Sequence, residues 1–383
     1  MLHYLSRIAP AFLPTLLLAA PVERIWLTHA SQDPSEIVIN WETEHPSLAV
    51  VEFGDGPELG KRISLPGKAT RHQVAIPFGH GTGKLHYRAG EGENVSAIHQ
   101  VKRYPEDELR LVIIGDWGFA PGRDFSAILR DDPHLLLTAG DNVPSLRQPG
   151  REGSKAFAAL IDAHPEIFRS FPFLPILGNH DREIAPRGPE PPDQPVYDIE
   201  ASVFREFFAL PGDEWKWRFE IPRFDLSLIA LDLNHIADHG TTWQTCHAWQ
   251  TDSPQFLWYS ETMARVKAGF VVTLMNERQS ALAGATKGAW HEHFRKGSAL
   301  VTGFGYFAER AELEGGLPYF NTCLKGDGDL YQDRNSRFHA RVDNYLLLTL
   351  RSDAPVMRAE LKSLDGTVLD QIDLAKRTAT RRN

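Results

Sequence analysis

Residues 109–118 read LRLVIIGDWG, residues 135–142 read LLLTAGDN and residues 173–181 read FLPILGNHD. Each segment is a short apolar run, typical of a buried strand, that ends in glycine and then an acidic or amide side chain. Helix-like segments separate the runs, and strands that alternate with helices predict a largely parallel sheet covered on both faces. Ligands bind such sheets beyond the carboxyl ends of their strands. The polar residues after the glycines are therefore expected to meet in one crevice.

Composition excludes several classes of protein. The 383 residues include 41 basic and 50 acidic side chains, for a net charge of −9, and are 42% hydrophobic and 24% charged. These proportions are those of a folded globular protein and exclude disorder and a coiled coil. An isoelectric point near 6.0 without a basic face argues against nucleic acid as the main partner. Two cysteines exclude a disulfide scaffold and a thiolate zinc cluster, so oxygen and nitrogen ligands are expected for any metal.

The first 21 residues differ from the rest of the chain. An apolar stretch at residues 8–20 follows Arg7 and ends in small residues, which is typical of a signal peptide. It is too short for a membrane span, which needs about 20 apolar residues. A buried N-terminal segment is the alternative. Export to the periplasm or the extracellular space would permit a disulfide between Cys246 and Cys323.

The pattern of apolar and polar residues divides the remainder of the chain into two parts and a tail. Residues 22–104 contain short alternating runs separated by turn clusters and predict a small all-β sandwich. Residues 105–375 carry the α/β pattern, and residues 376–383 form a basic tail that we expect to be solvated. The proline-rich residues 182–194 predict an irregular loop beside the crevice.

The order of the three glycine motifs resembles that of the calcineurin-like metallophosphoesterases, and the β-rich segment before them resembles the fibronectin type III-like domain of purple acid phosphatases. The resemblance implies an α/β/β/α layered domain in which two metal ions activate water against a phosphate ester. Matched by position, Asp116 would bind the first metal, Asp141 would bridge both and Asn179 would bind the second. His180 would contact the phosphate or protonate the leaving group.

The sequence departs from this family at the positions of its three imidazole ligands. Met275 takes the place of one, and Phe304 and Tyr306 replace the other two. Phenylalanine cannot coordinate, a thioether is a poor ligand for hard cations, and catalytic zinc generally keeps three protein ligands. The dinuclear centre is therefore disfavoured. The sequence predicts one weakly bound divalent metal on Asp116, Asp141 and Asn179, with Tyr306 as a further ligand if its phenol ionises, or no metal.

Other polar residues fall near the same crevice. Asn179, Asn276, Arg278 and Tyr306 are candidates for substrate binding, and Arg278 could hold an anionic group in place of a metal. Three histidines are interpreted as isolated surface residues, with metal binding as the alternative: His235, His239 and His247. His291 and His293 are interpreted as solvated. Core packing is favoured over sugar binding for three loop tryptophans, Trp117, Trp243 and Trp249.

Two hypotheses of function follow. The first is a hydrolase of a phosphate ester or another anionic substrate, with His180 as general acid, Asp141 and Asp116 handling a metal or a proton, and a small molecule or glycan as substrate. The second is a non-catalytic pseudophosphatase that binds carbohydrate or protein at the cell envelope. The first is favoured because acid, amide and imidazole groups are all retained.

Overall fold

The computed structural model describes residues 22–92, 94–120, 122–146, 153–185 and 190–377. The expected signal peptide, part of the proline-rich loop and most of the basic tail lie outside the described residues. None of the helices in the described part has both the length and the apolar character needed to cross a membrane.

An antiparallel sheet forms the N-terminal region. Its six strands are β1 (Val22–Thr28), β2 (Glu36–Gly54), β3 (Lys61–Pro77), β4 (Lys84–Glu91), β5 (Asn94–Val95) and β6 (His99–Lys102). Alternate side chains point into the core, where Trp26 and Trp41 are fully buried. Two of the short runs in this region, residues 36–41 and 49–53, are parts of the single strand β2, whose register with β3 shifts between Glu42 and Ser47.

Two mixed sheets form the rest of the described chain. The first has the order β19-β18-β17-β7-β8-β9. Its strands are β7 (Glu108–Ile114), β8 (Leu135–Thr138), β9 (Phe173–Leu174), β17 (Asn344–Arg351), β18 (Val356–Ser363) and β19 (Val368–Ala375). Strands β7, β8 and β9 are parallel, and the other three pair in antiparallel fashion. Strand β9 is shorter than the predicted run because Pro175 has no N–H to donate to a neighbour.

The second mixed sheet has the order β10-β11-β12-β13-β15-β14-β16. Its strands are β10 (Trp217–Ile221), β11 (Leu226–Ala230), β12 (Phe270–Met275), β13 (Ala299–Thr302), β14 (Ala308–Leu313), β15 (Leu317–Asn321) and β16 (Ser336–Ala340). Strands β11, β12, β13 and β15 are parallel. Antiparallel strands complete this sheet as well as the first, so the expectation of a largely parallel sheet is corrected to two mixed sheets.

Helices lie beside both sheets and give the predicted layered α/β/β/α arrangement. They are α1 (Ser126–Asp131), α2 (Lys155–Ala163), α3 (Pro165–Phe168), α4 (Ser202–Phe207), α5 (Pro254–Arg265), α6 (Gln279–Thr286) and α7 (Ala289–Phe294). Alternation along β12 divides the core, because Val272 and Leu274 pack toward the first sheet, whereas Val271 and Met275 pack against the outer helices. This alternation decides which side chain at the end of β12 reaches the crevice.

Candidate active site

The three glycine motifs meet where β7, β8 and β9 end. The Asp116 backbone N–H donates to Gly140 O at 3.2 Å, and the Gly118 N–H donates to Asp141 O at 2.9 Å. Gly140 has a φ of 88°, a left-handed conformation that favours glycine. Gly178 is needed for a different reason, because a Cβ there would overlap the Asp141 carboxylate. The strand-end glycines thus hold the polar side chains in one crevice.

Asp116 and Asp141 form a buried acid pair. Asp116 is 2% exposed and Asp141 is 7% exposed. Asp116 Oδ2 accepts from the Cys323 thiol at 3.0 Å, and Asp141 Oδ1 accepts from the His180 backbone N–H at 3.1 Å. Burial and the charge of Asp141 raise the pKa of Asp116 well above its usual range. Burial also raises the pKa of Asp141, against the opposing effect of His180. The pair therefore favours a proton on Asp116 beside an ionised Asp141.

His180 is oriented by the chain around it. Its Nδ1 lies 2.6 Å from Pro144 O, so Nδ1 carries the proton and donates to this carbonyl. The Phe119 ring meets the imidazole edge-on at 4.8 Å. With Nδ1 committed, Nε2 is the nitrogen that can exchange a proton with a ligand. Asn179, the residue before it, is only half-buried.

Asp181 is a further member of this cluster that the sequence reasoning missed. It is fully buried and accepts from Asn142 N at 2.9 Å, Asn142 Nδ2 at 2.9 Å and Gly178 N at 2.8 Å. Burial and the charge of Asp141 raise the pKa of Asp181 to about 8. The sequence offered one signal for Asp181, which is its position as the last residue of the third glycine motif. It holds the second and third motifs together.

A second buried acid cluster lies beyond β11 and was also missed. The fully buried Arg182 pairs with Asp232, and its Nη1 donates to Gly178 O at 3.0 Å. His247 Nδ1 lies 2.6 Å from Asp232 Oδ2, and the imidazole stacks on Trp215 with ring centroids 3.7 Å apart. The interpretation of His247 as an isolated surface residue is therefore wrong.

The other histidines also have partners. His235 is close enough for its charge to lower the pKa of Asp141, so it lies near the acid pair. His239 Nδ1 is 3.1 Å from Gln250 Nε2. His291 bonds to Gln279 at 2.9 Å, and His293 packs on Phe256 and Tyr259, so neither is a solvated residue. Burial lowers the pKa of both, to about 4 for His291. Of the tryptophans, Trp117 is fully buried as expected, and Trp243 and Trp249 are half-buried.

The end of β12 corrects the position assigned to Met275. Met275 points into the outer core, and Asn276, the next residue, reaches Asp116. Asn276 is 1% exposed, and its Nδ2 donates to Ala139 O at 2.7 Å and Gly303 O at 2.5 Å. Because both N–H bonds are committed to the chain, this side chain links three strand ends. It has no free N–H for the substrate contact expected from the sequence.

The loop after β13 carries Phe304 and Tyr306. Tyr306 is half-buried, its ring lies 5.6 Å from that of Phe119, and Lys325 Nζ lies 4.9 Å from its centroid. Burial and the charges of Asp116 and Asp141 raise the pKa of Tyr306 far above neutral pH. Without a bound cation, burial and these two charges therefore disfavour the phenolate form that a role of Tyr306 as metal ligand requires. The Arg278 guanidinium lies over the rings of Phe304 and Tyr331.

Comparison with known proteins identifies the family. A sequence profile of the calcineurin-like phosphoesterases matches residues 109–304, more than half of the chain. The chain belongs to the calcineurin-like phosphoesterase family. No curated protein sequence matched it. Its structure is similar to that of PhoD, with a TM-score of 0.63 and 10% identity over 97% of this chain and 94% of PhoD.

Two further solved structures share part of the architecture. GAP50, the anchor in the inner membrane complex of Plasmodium, has a TM-score of 0.48 and 13% identity over 71% of this chain and 90% of GAP50. A dimetal phosphatase from Danio rerio has a TM-score of 0.44 and 11% identity over 70% of this chain and 99% of the phosphatase. These likenesses concern the fold.

Calcineurin-like phosphoesterases generally bind divalent metals, and the donors present here fit two transition-metal ions poorly. The crevice offers Asp116, Asp141, the Asn179 amide and, unexpectedly, the Cys323 thiol. In the part of the chain that the structure describes, no three His, Cys, Asp or Glu side chains are grouped to hold a metal. Phe304 has no donor atom, and both Asn276 N–H bonds and the Cys323 thiol already serve protein acceptors. This donor set therefore suits a cation that prefers carboxylate ligands better than it suits two transition-metal ions, which favour imidazole ligands.

Proposed function

We propose that this protein is a hydrolase of a phosphate ester or another anionic substrate that works with a depleted metal centre, holding at most one weakly bound divalent cation. The observation that carries the proposal is the meeting of Asp116, Asp141 and His180 in one crevice of a phosphoesterase-family chain. A carboxylate pair with separated proton affinities and an oriented imidazole are the groups that acid–base hydrolysis needs.

Each residue has a role that follows from its contacts. Asp141, the ionised partner, accepts a proton from the attacking water, and His180 Nε2 protonates the leaving oxygen. Asn179 and Arg278 bind the anionic substrate. Asp116, Asp141 and Asn179 would hold a divalent cation, which would supply charge neutralisation at the phosphoryl oxygens. The substrate is a small molecule or a glycan derivative.

A non-catalytic binding protein is the second candidate. One contact favours it: Asp116 already accepts a hydrogen bond from the Cys323 thiol, as expected where a carboxylate has become part of the framework. Such a protein would retain the crevice to bind carbohydrate or a protein partner without turnover.

Metal analysis and turnover of an aryl phosphate separate the two candidates. We expect fewer than two transition-metal ions per chain and measurable hydrolysis with Mn²⁺ or Mg²⁺. Asp141→Asn and His180→Gln should each lower kcat by about 100-fold, the usual effect of removing a general acid or base. Asp252→Asn, an exposed acid outside the site, serves as the matched control and should keep the wild-type rate. Two tightly bound ions would contradict the depleted centre, and no turnover under any metal condition would favour the binding protein.

We also propose export to the periplasm or the extracellular space, with a fibronectin type III-like N-terminal domain. The apolar residues 8–20 after Arg7 support export. N-terminal sequencing of the protein from intact cells should find a mature chain that begins near residue 22. A chain that retains Met1 would contradict it.

A further inference from the structure

Among the described residues, the Arg278 guanidinium has aromatic neighbours but no hydrogen-bond or ion-pair partner. Its Nε is buried and has no hydrogen-bond acceptor, and among the described residues no carboxylate lies within 4 Å of the guanidinium, the limit for a salt bridge. The neighbouring Glu277 makes its hydrogen bonds elsewhere and forms no ion pair with the guanidinium: its Oε2 accepts from Ile236 N at 2.9 Å and its Oε1 from the Arg278 backbone N–H at 2.8 Å. An arginine held without a counter-ion is a ready receptor for an anion.

Aromatic rings fix the position of this guanidinium. Its central carbon lies 4.4 Å from the Tyr331 ring centroid and 5.4 Å from that of Phe304, and the two rings meet edge-on at 5.3 Å. Contacts with aromatic faces hold the charge in place and leave the N–H edge of the fork for a carboxylate or phosphate. We call Arg278, Phe304 and Tyr331 the cation–aromatic platform.

The platform lies beside the acid pair rather than on it. The Phe304 ring centroid lies 5.4 Å from the Arg278 guanidinium carbon and 6.0 Å from the His235 imidazole. The charge of His235 in turn lowers the pKa of Asp141. Lys325, a second cation near the pocket, is already paired with Asp327 at 3.3 Å. Tyr331 is 42% exposed and the adjacent Leu330 is 81% exposed, so the platform has an open apolar rim. An anion with an apolar stem can reach it from solvent.

We propose that the cation–aromatic platform binds a second anionic group of the substrate, a carboxylate or a phosphate on the alcohol part of the ester. The inference rests on the proposed function, which places the reacting phosphoryl group at Asp141 and His180. The substrate class is therefore a phosphate ester with two anionic groups joined by a short apolar or planar spacer. The first group reacts, and the second accepts two parallel N–H bonds from the Arg278 guanidinium.

Binding of matched phosphonates tests this inference. The probes are benzylphosphonate, 4-carboxybenzylphosphonate and 1,4-xylylenebisphosphonate, none of which can be hydrolysed as an ester. Isothermal titration of the full chain should show at least one doubly anionic probe binding about tenfold tighter than benzylphosphonate, the contribution of one charge-assisted contact. The probe that gains affinity distinguishes a carboxylate from a second phosphate.

Substitutions identify the residue responsible. Arg278→Met should reduce the preference from about tenfold to within about twofold, and Arg278→Lys should leave about threefold, since lysine keeps the charge without the fork. Arg265→Gln, on the exposed face of α5, should keep the full preference. Equal affinity for all three probes in wild type, binding of none, or a preference that survives Arg278→Met would overturn the inference. Preference without turnover would instead contradict the proposed hydrolase and leave the platform standing.

Discussion

The two buried acid clusters of this protein differ in their partners. Asp116, Asp141 and Asp181 lie at the ends of the first mixed sheet, and Asp232 lies at the end of the second, all of them buried. Burial raises the pKa of the first three. Burial would also raise the pKa of Asp232, but Arg182 and His247 outweigh it and bring that pKa below its usual range.

The difference separates a structural acid from an available one. Asp232 has a permanent cation and a stacked imidazole, so its charge is already used to fix the loop after β11. The cluster of three has N–H donors and a thiol as neighbours but no arginine or lysine ion pair among the described residues. Such carboxylates favour a proton, a divalent cation or a charged substrate group. Function is therefore expected at the first cluster and stability at the second.

Removing Arg182 should produce the largest loss of stability. Arg182→Met leaves the Asp232 carboxylate buried with the Asn234 amide and His247 but without its arginine. Breaking a buried pair from one side costs about 3–5 kcal/mol. Urea denaturation at pH 7 measures the free energy of unfolding. Arg265→Met, which breaks the exposed pair with Glu261 on α5, is the matched control and should stay within about 0.5 kcal/mol of wild type.

The double variant sharpens this test. Arg182→Met combined with Asp232→Asn removes both charges, so it should be more stable than Arg182→Met alone by about 1–2 kcal/mol. If Arg182→Met behaves like the surface control, the second cluster does not stabilise the fold, and the contrast between the clusters fails.

The same Asp→Asn change should have opposite signs in the two clusters. Without divalent cations, Asp116→Asn removes a carboxyl group whose proton becomes costlier to retain as pH rises, so it should stabilise the fold by about 1–3 kcal/mol at pH 8. Asp232→Asn removes an ionised partner of Arg182 and should destabilise it by about 3 kcal/mol. Both are measured by urea denaturation with a chelator present.

The pH profile follows from the same shifts. An acid whose folded-state pKa lies above its usual value binds a proton that the unfolded chain has lost, so stability falls as pH rises through the folded pKa. With the pKa of Asp181 raised to about 8 and that of Asp116 also raised, wild type without divalent cations should lose stability between about pH 5 and 8 and level off above it. Asp116→Asn should flatten this loss. The opposite result would be that a chelator strongly lowers the free energy of unfolding of wild type and that Asp116→Asn is less stable than wild type. It would show that a metal neutralises the cluster.

Local sequence patterns predicted much of the fold, because each strand and glycine turn is encoded within about ten residues. The positions of Asp116, Asp141 and His180 follow from those turns. Arg182 and Asp232 are 50 positions apart and meet only through the packing of two sheets, so no local pattern indicated them. Successive residues at the end of β12 point to opposite sides, so an error of one residue changes which side chain enters the crevice. In the structure that side chain is Asn276 rather than Met275.

Cys323 offers the smallest test of the comparison. The two cysteines are not joined, and the Cys323 thiol instead donates to Asp116. Cys323→Ser keeps a donor, whereas Cys323→Ala leaves Asp116 one bond short, a difference of about 1 kcal/mol in the free energy of unfolding. The matched pair Cys246→Ser and Cys246→Ala should show the reverse order, because Cys246 packs in the outer core and a hydroxyl there is costly. If both pairs rank alike, the thiol is only filling space beside Asp116, and the first cluster is even less neutralised than its contacts indicate.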